Sequence, residues 1–571
     1  MTTWTLAERR AALTRAERDG VDVLVIGGGI VGAGVLRDAA SRGLRALLVE
    51  KADFASGTSS RSSKMVHGGL RYLAQGHVAI TREACQERDL LLRQNPNLVK
   101  PLPFLFCAFA GGKVKEWQVR AALGVYWALA NFRASARFRM LSSAEVTSYS
   151  RDFRQDGLLA AGLYHDAQVD DARLVIESIK SARRLGADAA NHAEAIEFLR
   201  DPGGAQGGRR RPPRSEAQPS EVPALAGARI RDALDGRTLT IRAAAVVNCA
   251  GPAIERVRGL DHPGTQRNIR PAKGVHIVIP RQRIHAQGAV SFESRDGRHL
   301  FLCPFDDVAM IGTTDTFSDR IDEPVVTIEE VHYLLGAAND AFPHAGLTTN
   351  DIRSVWAGVR PLVAEGEADV PPSDVSRESE ITESASGLVS VAGGKLTTFR
   401  AMGKAAMDRV VRRLPAERRR AAGPSDTAVP IRDDAFVRSE LLQELRRRFT
   451  LSPRVAEHLV GAWGADAVPL LEAAPEEQRK PIGKSRYLFA ELPWSIAREC
   501  PATLCDVLER RVRLALFAEG QGLPQLAKLA EVAASAAGWD AERTRAEANA
   551  YAQAVRRRYQ IVSREEAERA A

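Results

Sequence analysis

The apolar residues of the chain follow three patterns along its length. Residues 21–26, apolar except for Asp22, and residues 47–49 are short apolar runs of the kind that forms buried parallel strands. Apolar and polar residues alternate between 273 and 322, where Val, Ile and Phe are frequent, which predicts an antiparallel sheet. Beyond residue 434 the apolar spacing is helical almost throughout. The pattern therefore predicts an α/β plus α+β protein that ends in an all-helical domain.

Several shorter segments carry the signal of a single element. Asp235-Gly236 at the centre of residues 230–241 predicts a hairpin. Thr5 and Glu8 have the spacing of a capping box, which predicts a helix in residues 1–20 that we expect to be a solvated extension. Residues 201–222 are rich in Gly, Pro and Arg and are expected to form a flexible loop. Further helices are predicted over residues 81–93, 173–185, 327–342, 441–449, 456–463, 504–517 and 526–537, and a further strand over 193–198.

The composition is that of a multidomain protein without a membrane span. The chain has 571 residues, of which 45% are hydrophobic, and a formal net charge of +9. No apolar run approaches the roughly 20 residues that a transmembrane helix needs. The six cysteines are scattered without metal-site spacing, so we expect no metal and a reducing, cytoplasmic location. No nucleic-acid-binding motif accompanies the basic charge, which favours an anionic lipid surface or a phosphorylated substrate as its partner.

The first apolar run leads into a glycine motif that is typical of dinucleotide-binding proteins. Gly27 permits a tight turn, Gly29 leaves room for a pyrophosphate, and Gly32 lets the next helix pack closely on the strand. The N-terminus of that helix presents free N–H groups to phosphates. Glu50 ends the second apolar run and can accept hydrogen bonds from the adenosine ribose. The motif predicts a bound dinucleotide, but it does not separate NAD from FAD.

A segment rich in small hydroxyl residues follows Glu50. Thr58, Ser59 and Ser63 belong to a stretch that can lie along a ligand and donate hydrogen bonds to it. The stretch continues without a linker into Ser62-Ser63-Lys64-Met65-Val66-His67-Gly68-Gly69-Leu70-Arg71-Tyr72-Leu73.

This last sequence resembles the FAD-dependent glycerol-3-phosphate dehydrogenases, which belong to the D-amino-acid-oxidase-like flavoproteins. The resemblance is strong over residues 20–405 and weak in the remainder. It implies a Rossmann-like FAD-binding domain, an antiparallel-sheet substrate domain and a C-terminal helical cap. Further motifs of the family are matched, in the expected order, at residues 169–174, 246–252, 273–276, 311–316, 358–362 and 393–400.

The resemblance also implies how the chain is divided. The FAD-binding and substrate domains are interleaved within residues 21–425, and the helical cap covers 426–571. The FAD-binding part is expected mainly at residues 21–100, 165–260 and 355–405, and the substrate-binding part mainly at 100–165 and 265–355.

The reaction implied is oxidation of sn-glycerol 3-phosphate to dihydroxyacetone phosphate, with hydride transfer to flavin N5. His276 is the candidate base because histidine titrates near neutral pH, although a core role for it or a water as base stays open. Arg360 would orient the hydroxyl and stabilise developing negative charge, since arginine stays protonated. The residues expected to bind the substrate phosphate are Arg71, Tyr72, Arg377 and Lys395.

The family holds FAD noncovalently, and the resemblance implies which residues surround it here. The ADP half is assigned to the glycine motif and Glu50, and the pyrophosphate and ring to the hydroxyl-rich segment. His67 is expected to pack near the ring. The full set of expected cofactor-binding residues is Gly27, Gly29, Gly32, Glu50, Thr58, Ser59, Ser63, Lys64, His67, Gly69, Gly251, Gly394, Leu396 and Thr397.

Electrons pass from the related dehydrogenases to a membrane quinone. We therefore expect peripheral association with the inner face of the cell membrane, and a homodimer is possible. Residues 117–132 carry aromatic side chains with flanking basic residues, which suits an interfacial helix, although a buried helix of the substrate domain is an equal alternative.

Three other functions stay open. The first is a glycerol-3-phosphate oxidase, which would use O2 as the acceptor and produce H2O2. The second is an amine or hydroxy-acid oxidase of the same superfamily. The third is a flavin-bearing structural or regulatory protein without turnover.

Overall fold

The strands of the protein build two large sheets. The computed structural model describes residues 3–74, 76–112, 114–133, 137–201, 222–264, 269–363, 379–432, 436–563 and 565. The loop expected at 201–222 lies almost entirely outside these residues. The strands are β1 (Val21–Ile26), β2 (Ala46–Val49), β3 (Met65–Val66), β4 (Lys100–Phe109), β5 (Arg139–Leu141), β6 (Leu158–Gln168), β7 (Asp188–Ala190), β8 (Ala193–Arg200), β9 (Leu225–Asp232), β10 (Thr238–Asn248), β11 (Ile269–Pro280), β12 (Ala289–Glu293), β13 (His299–Phe305), β14 (Val308–Gly312), β15 (Thr316–Phe317), β16 (Val326–Thr327), β17 (Ser354–Val363), β18 (Ser379–Glu383), β19 (Val389–Gly393) and β20 (Ile561–Val562).

The first sheet has five parallel strands in the order β19-β10-β1-β2-β7. β18 extends it antiparallel to β19. β9 and β10 form the predicted hairpin, which continues to β8. The side chains of β1 and β2 are almost all buried, because helices cover the sheet, and this explains their apolar runs.

The second sheet has the order β15-β11-β14-β13-β12-β4-β6-β3, with β17 also paired to β11 and β5 to β6. Its pairs are antiparallel except β12 with β4. The predicted alternating segment supplies β11 to β15, as expected for a sheet with two different faces. The fold class predicted from the sequence is therefore confirmed.

Helices cover the first sheet and form most of the C-terminal part. The predicted helices at 81–93, 173–185 and 327–342 are confirmed, with ends shifted by a few residues. The helices are α1 (Leu6–Asp19), α2 (Ile30–Ser41), α3 (Leu70–Ala74), α4 (Val78–Gln94), α5 (Glu116–Leu129), α6 (Ser143–Tyr149), α7 (Asp171–Arg184), α8 (Ile254–Asp261), α9 (Ile328–Ala341), α10 (Phe399–Arg413), α11 (Ala416–Ala421), α12 (Arg438–Phe449), α13 (Pro453–Trp463), α14 (Ala467–Ala473), α15 (Glu491–Arg498), α16 (Leu504–Asp506), α17 (Leu514–Phe517), α18 (Leu526–Ala537) and α19 (Ala541–Arg558).

The N-terminal helix α1 is not a solvated extension, and that expectation was wrong. The predicted capping box is present, but Trp4 and Leu13 are buried against the rest of the protein. Arg9 is 2% exposed and forms an ion pair with Asp232 at 2.8 Å. The backbone N–H of Cys500 also donates to the carbonyl of Trp4 at 2.8 Å. The N-terminal segment is therefore packed between the first sheet and the C-terminal domain.

The C-terminal domain departs from the expected arrangement in two places. The helix predicted over 504–517 is broken into α16, a π-helical turn at Val507–Arg511, and α17, because Arg513 has a left-handed φ of 61°. The domain also contains a two-residue strand, β20, which pairs in parallel with β16. Its two residues, Ile561 and Val562, are too short a signal for a strand to be predicted from the sequence.

Candidate active site

The turn after β1 forms the base of a cradle. Gly27 has a φ of 111°, and a Cβ there would lie 2.5 Å from the carbonyl oxygen of Cys249. A Cβ on Gly32 would lie 1.9 Å from the carbonyl oxygen of Gly27, so only glycine lets α2 approach β1 this closely. Gly29, at the start of α2, borders the open space above the cradle. The three glycines therefore lie where a dinucleotide motif requires them.

Glu50 closes one side of the cradle at the end of β2. Its carboxylate accepts hydrogen bonds from the backbone N–H groups of Gly28 at 2.6 Å and Ala52 at 2.9 Å. Burial raises the pKa of this carboxyl, and the two N–H groups oppose the rise. Each oxygen uses one lone pair on the backbone, so lone pairs remain for the hydroxyls of a ribose.

A cavity of about 920 Å³, which we call the nucleotide cavity, extends from the cradle to the C-terminal domain. Glu50, Ser59 and Gly251 border it, as expected of cofactor-binding residues. Part of its wall comes from the C-terminal domain, a contribution that no sequence motif indicated. These wall residues are Thr503, Cys505, Asp506, Arg510, Glu547, Ala550, Ala554, Arg557 and Arg558.

Buried ion pairs attach this wall to the cradle. Asp53 accepts hydrogen bonds from the guanidinium groups of Arg510 and Arg511. His192 Nε2 lies 2.9 Å from an Asp506 carboxylate oxygen. Atoms of Asp53, His192 and Asp506 lie within 4.8 Å of one another, as metal ligands would, but the two arginines already neutralise the carboxylates. The cluster therefore joins two parts of the chain.

A second cavity of about 720 Å³, which we call the reaction cavity, adjoins the first. Thr58, Gly394, Lys395 and Leu396 border both cavities. Most of the remaining predicted residues border the reaction cavity alone. These are Ser63, His67, Gly69, Tyr72, His276, Arg360 and Thr397.

His276 lies in β11 with its ring at the reaction cavity. The side chain is 4% exposed, and its ring is stacked on Trp356 with the centroids 5.2 Å apart. Nε2 lies 2.8 Å from the hydroxyl oxygen of Ser63. Burial lowers the pKa of His276 to about 3, and the positive charges of Arg360 and Lys64 add to this effect. The imidazole is therefore neutral at physiological pH.

Arg360 reaches the same cavity from the neighbouring strand β17. Gly274 pairs with Gly358 between the His276 and Arg360 positions, so no side chain fills the space on that face. A Cβ on Gly274 would lie 2.7 Å from Arg360 Nη2. Arg360 Nη1 donates to Asp315 at 2.7 Å, which holds the guanidinium in place. Asp315 belongs to the motif at 311–316, and the sequence did not identify it as a site residue.

The residues predicted to bind phosphate are only partly described. Lys395 Nζ lies 3.6 Å from the centroid of the Tyr72 ring, so these two come together at the edge of the reaction cavity. Arg71 is in α3, but its side chain lies outside the described residues, and Arg377 lies outside them entirely. Thr397, in the motif at 393–400, is tied to the segment 62–73, because its Oγ1 accepts a hydrogen bond from the backbone N–H of His67 at 3.0 Å.

Lys64 does not line either cavity, and its assignment to the cofactor is corrected. Its side chain is fully buried, and Nζ donates to Asp171 at 2.7 Å. Arg513 from the C-terminal domain donates to the same carboxylate at 3.0 Å. Burial lowers the pKa of Lys64 to about 8, and the nearby Arg513 charge adds to this effect. Lys64 is therefore a structural cation beneath the site, and only its charge reaches His276.

Helix α5 forms the apolar rim of the reaction cavity. Ala121, Ala122 and Val125 border the cavity. Trp117 in the same helix is 66% exposed, and Phe132 just beyond its end is 64% exposed. The helix is thus neither fully buried nor polar on its outer face. Of the helices in the described parts of the chain, none is long and apolar enough to cross a bilayer.

Known proteins resemble the chain over most of its length. Residues 22–409 match the family described as FAD dependent oxidoreductase, and residues 433–544 match the C-terminal domain of alpha-glycerophosphate oxidase. The chain is 36% identical over 505 residues to the aerobic glycerol-3-phosphate dehydrogenase of Staphylococcus aureus strain USA300, and this match covers 86% of each chain.

Solved structures share its fold. The glycerol-3-phosphate dehydrogenase from Bacillus halodurans, complexed with FAD, matches with a TM-score of 0.76 and 28% identity, covering 97% of this chain and 98% of that chain. The L-alpha-glycerophosphate oxidase from Mycoplasma pneumoniae matches with a TM-score of 0.50 and 15% identity, covering 68% of this chain and 94% of that chain, which shows the fold alone.

Proposed function

The chain belongs to the FAD-dependent oxidoreductase family, with the aerobic glycerol-3-phosphate dehydrogenases among its relatives, and we propose that it oxidises sn-glycerol 3-phosphate to dihydroxyacetone phosphate. FAD is its cofactor. The observation that carries the proposal is the reaction cavity, where a neutral histidine, a paired arginine and a lysine border one space. These three side chains together can bind one small molecule that carries both an alcohol and a phosphate.

The cofactor fits the two adjoining cavities, held noncovalently. The glycine cradle and Glu50 suit the ADP half in the nucleotide cavity. Gly394, Leu396 and Thr397 border the reaction cavity and would bind the flavin edge there. When bound, the flavin supplies the hydride acceptor, and the protein supplies position and charge.

His276 is the proposed base. A buried, neutral imidazole can accept the proton of the substrate hydroxyl, and the bond to Ser63 holds the ring in orientation. Arg360 remains charged, so its role is to orient the hydroxyl oxygen and stabilise the negative charge that develops there. Asp315 is a positioning residue, because it holds Arg360 rather than the substrate.

The phosphate end is proposed at Tyr72 and Lys395, together with Arg71 and Arg377. A dianionic phosphate binds best to several charged donors, and arginine offers two parallel hydrogen bonds. Lys395 lies against Tyr72 at the edge of the cavity, which supports this end as the phosphate site. Glycerol, without the phosphate, would bind far more weakly.

The proposed electron acceptor is a quinone of the membrane to which the protein binds peripherally, on the cytoplasmic face. The exposed Trp117 in α5 and the exposed Phe132 just beyond its end support this, since aromatic side chains favour the bilayer interface. Replacing Phe132, which borders neither cavity, with Gln should lower binding to anionic lipid vesicles, with little change in reduction of a soluble dye. Unchanged vesicle binding would mean that α5 and its neighbouring aromatic residues do not support peripheral membrane binding.

One titration tests substrate and acceptor together. Under anaerobic conditions the yellow holoenzyme should be bleached by glycerol 3-phosphate and not by glycerol. A short-chain quinone should then restore the colour quickly, and air only slowly. Fast reoxidation by air with stoichiometric H2O2 would instead establish the oxidase, for which the match to an oxidase C-terminal domain is the specific support. Bleaching by amino or hydroxy acids, or by none of these compounds, would contradict the proposed substrate.

A further inference from the structure

Arg61 is a buried cation without a hydrogen-bond or ion-pair partner for its guanidinium among the described residues. It is 7% exposed. Its backbone is held firmly, because its carbonyl accepts from Trp356 Nε1 at 3.1 Å and its N–H donates to the carbonyl of Thr58 at 3.1 Å. A buried guanidinium without a counter-charge is costly, so the site is incomplete without an anion.

The surrounding protein does not supply that anion. Glu509, a carboxylate close enough to interact with Arg61, already binds Arg510, Arg558 and Tyr559. Burial lowers the pKa of Arg61; Tyr559 and Glu509 oppose this, while Arg558 and Arg510 add to it. The local balance of charge therefore favours a further negative group.

The position of Arg61 indicates which negative group fits. Arg61 borders both the nucleotide cavity and the reaction cavity. The Ser59 hydroxyl, two residues earlier, accepts a hydrogen bond at 3.0 Å from the backbone N–H of Ile30, at the N-terminus of α2, where dinucleotide phosphates bind. With adenosine in one cavity and the flavin in the other, the diphosphate that joins them must pass through this junction.

We propose that Arg61 binds the diphosphate group of FAD. Its planar guanidinium can give two parallel hydrogen bonds to phosphate oxygens, and they are strong because the site is shielded from water. The Gly27–Gly32 motif and α2 would bind the diphosphate from one side, and Arg61 would add the positive charge that the motif lacks. The inference rests on FAD as the cofactor and not on the identity of the substrate.

The test compares displacement of FAD from the full-length holoenzyme by ADP and by adenosine, followed by the fluorescence of the released flavin. In Arg61→Met the Kd for FAD should rise about tenfold or more, and ADP should weaken as a competitor by a similar factor. Adenosine has no phosphate, so its competition should not change. Arg61→Lys should be intermediate, since it keeps the charge and loses the fork.

Arg295→Gln is the matched control. Arg295 borders neither cavity, and its side chain is 87% exposed and paired with Asp340. This variant should leave the affinities for FAD, ADP and adenosine within twofold of those of the wild type.

Two results would overturn the proposal. Equal weakening of ADP and adenosine in Arg61→Met would mean that Arg61 only supports the shape of the pocket. Unchanged binding of FAD and ADP, with loss of binding of inorganic phosphate, would mean that Arg61 serves a free anion. Neither measurement requires glycerol 3-phosphate, so an error in the proposed substrate would not affect them.

Discussion

The Nε2 atom of His276 lies 2.8 Å from the hydroxyl oxygen of Ser63, while Nδ1 has no hydrogen-bond partner among the described residues. A serine hydroxyl can both donate and accept, so it orients the ring in either tautomer. When the neutral imidazole carries its proton on Nε2 and donates it to Ser63, the ring has a fixed position and Nδ1 is able to accept a proton. In that tautomer His276 has the properties of the proposed base.

Replacing the proposed base should slow the reaction without releasing the flavin. His276→Asn should lower kcat about a hundredfold or more, because general-base catalysis contributes roughly that factor. Bound FAD, measured by the visible spectrum, should be unchanged. Ser63→Ala is the control for orientation and should have a smaller effect. Wild-type kcat in His276→Asn would exclude the histidine and leave a water as the base.

The same histidine should make the protein less stable in acid. Its pKa is about 3 in the folded protein and about 6.5 in an unfolded chain. Between these values the unfolded chain binds more protons, so the free energy of unfolding falls as the pH drops from about 6.5 towards 3. The difference in pH dependence between wild type and His276→Asn should approach about 1.4 kcal/mol per pH unit in denaturant unfolding. Parallel pH profiles for the two proteins would show that the imidazole is not buried in its neutral form.

Filling the gap between His276 and Arg360 should impair substrate turnover. In Gly274→Ala the new Cβ would lie 2.6 Å from Thr313 Oγ1 and 2.7 Å from Arg360 Nη2, so the guanidinium must move away from its position. We expect kcat/KM to fall about tenfold or more, since misplaced catalytic groups have effects of this size, with normal FAD content.

The control for this substitution is Gly336→Ala in α9. Apart from the neighbouring residues and the backbone of its own helix, no atom of the described residues lies within 4 Å of a Cβ at that position. Activity should be unchanged and stability should rise by up to about 1 kcal/mol, because alanine favours a helix. A similar loss of activity in both variants would argue against a specific effect on Arg360.

Breaking the ion network of Asp53 should detach the C-terminal domain from the cradle. Asp53→Asn leaves Arg510 and Arg511 without their shared carboxylate, and loss of one partner of a buried pair costs about 3–5 kcal/mol. A lower thermal midpoint and faster proteolysis after residue 432 would be the readouts. Asp19→Asn, at an exposed pair with Arg18, should change neither. Equal stability of the Asp53 variant would show that the network does not hold the domain.

Local motifs made much of the cofactor site predictable from the sequence. The spacing of Gly27, Gly29 and Gly32 follows from one turn and one helix start. The distance along the chain to Glu50 follows from the length of a single βαβ unit. Sequence spacing was sufficient here because the motif and Glu50 belong to one local unit, although the close approach of Cys249 to Gly27 comes from a distant strand and was not predicted.

Contacts between distant segments could not be predicted in this way. Asp53 and Arg510 are 457 residues apart, so no periodicity relates them. The assignment of Lys64 to the cofactor was wrong for the same reason. Its location in a ligand-binding motif suggested the cofactor, but its Nζ donates to Asp171, and Arg513 donates to the same carboxylate. The N-terminal helix looked solvated because its arginines are numerous, and only tertiary packing buries Arg9.

The wall that residues 503–558 add to the nucleotide cavity has a consequence for biosynthesis. A ribosome delivers the glycine cradle first and this wall last, with hundreds of residues between them. The nascent chain therefore presents an open half-pocket until α19 has left the exit tunnel. We therefore expect secure retention of the flavin to require residues 503–558, so that a translation product without them would hold it less tightly.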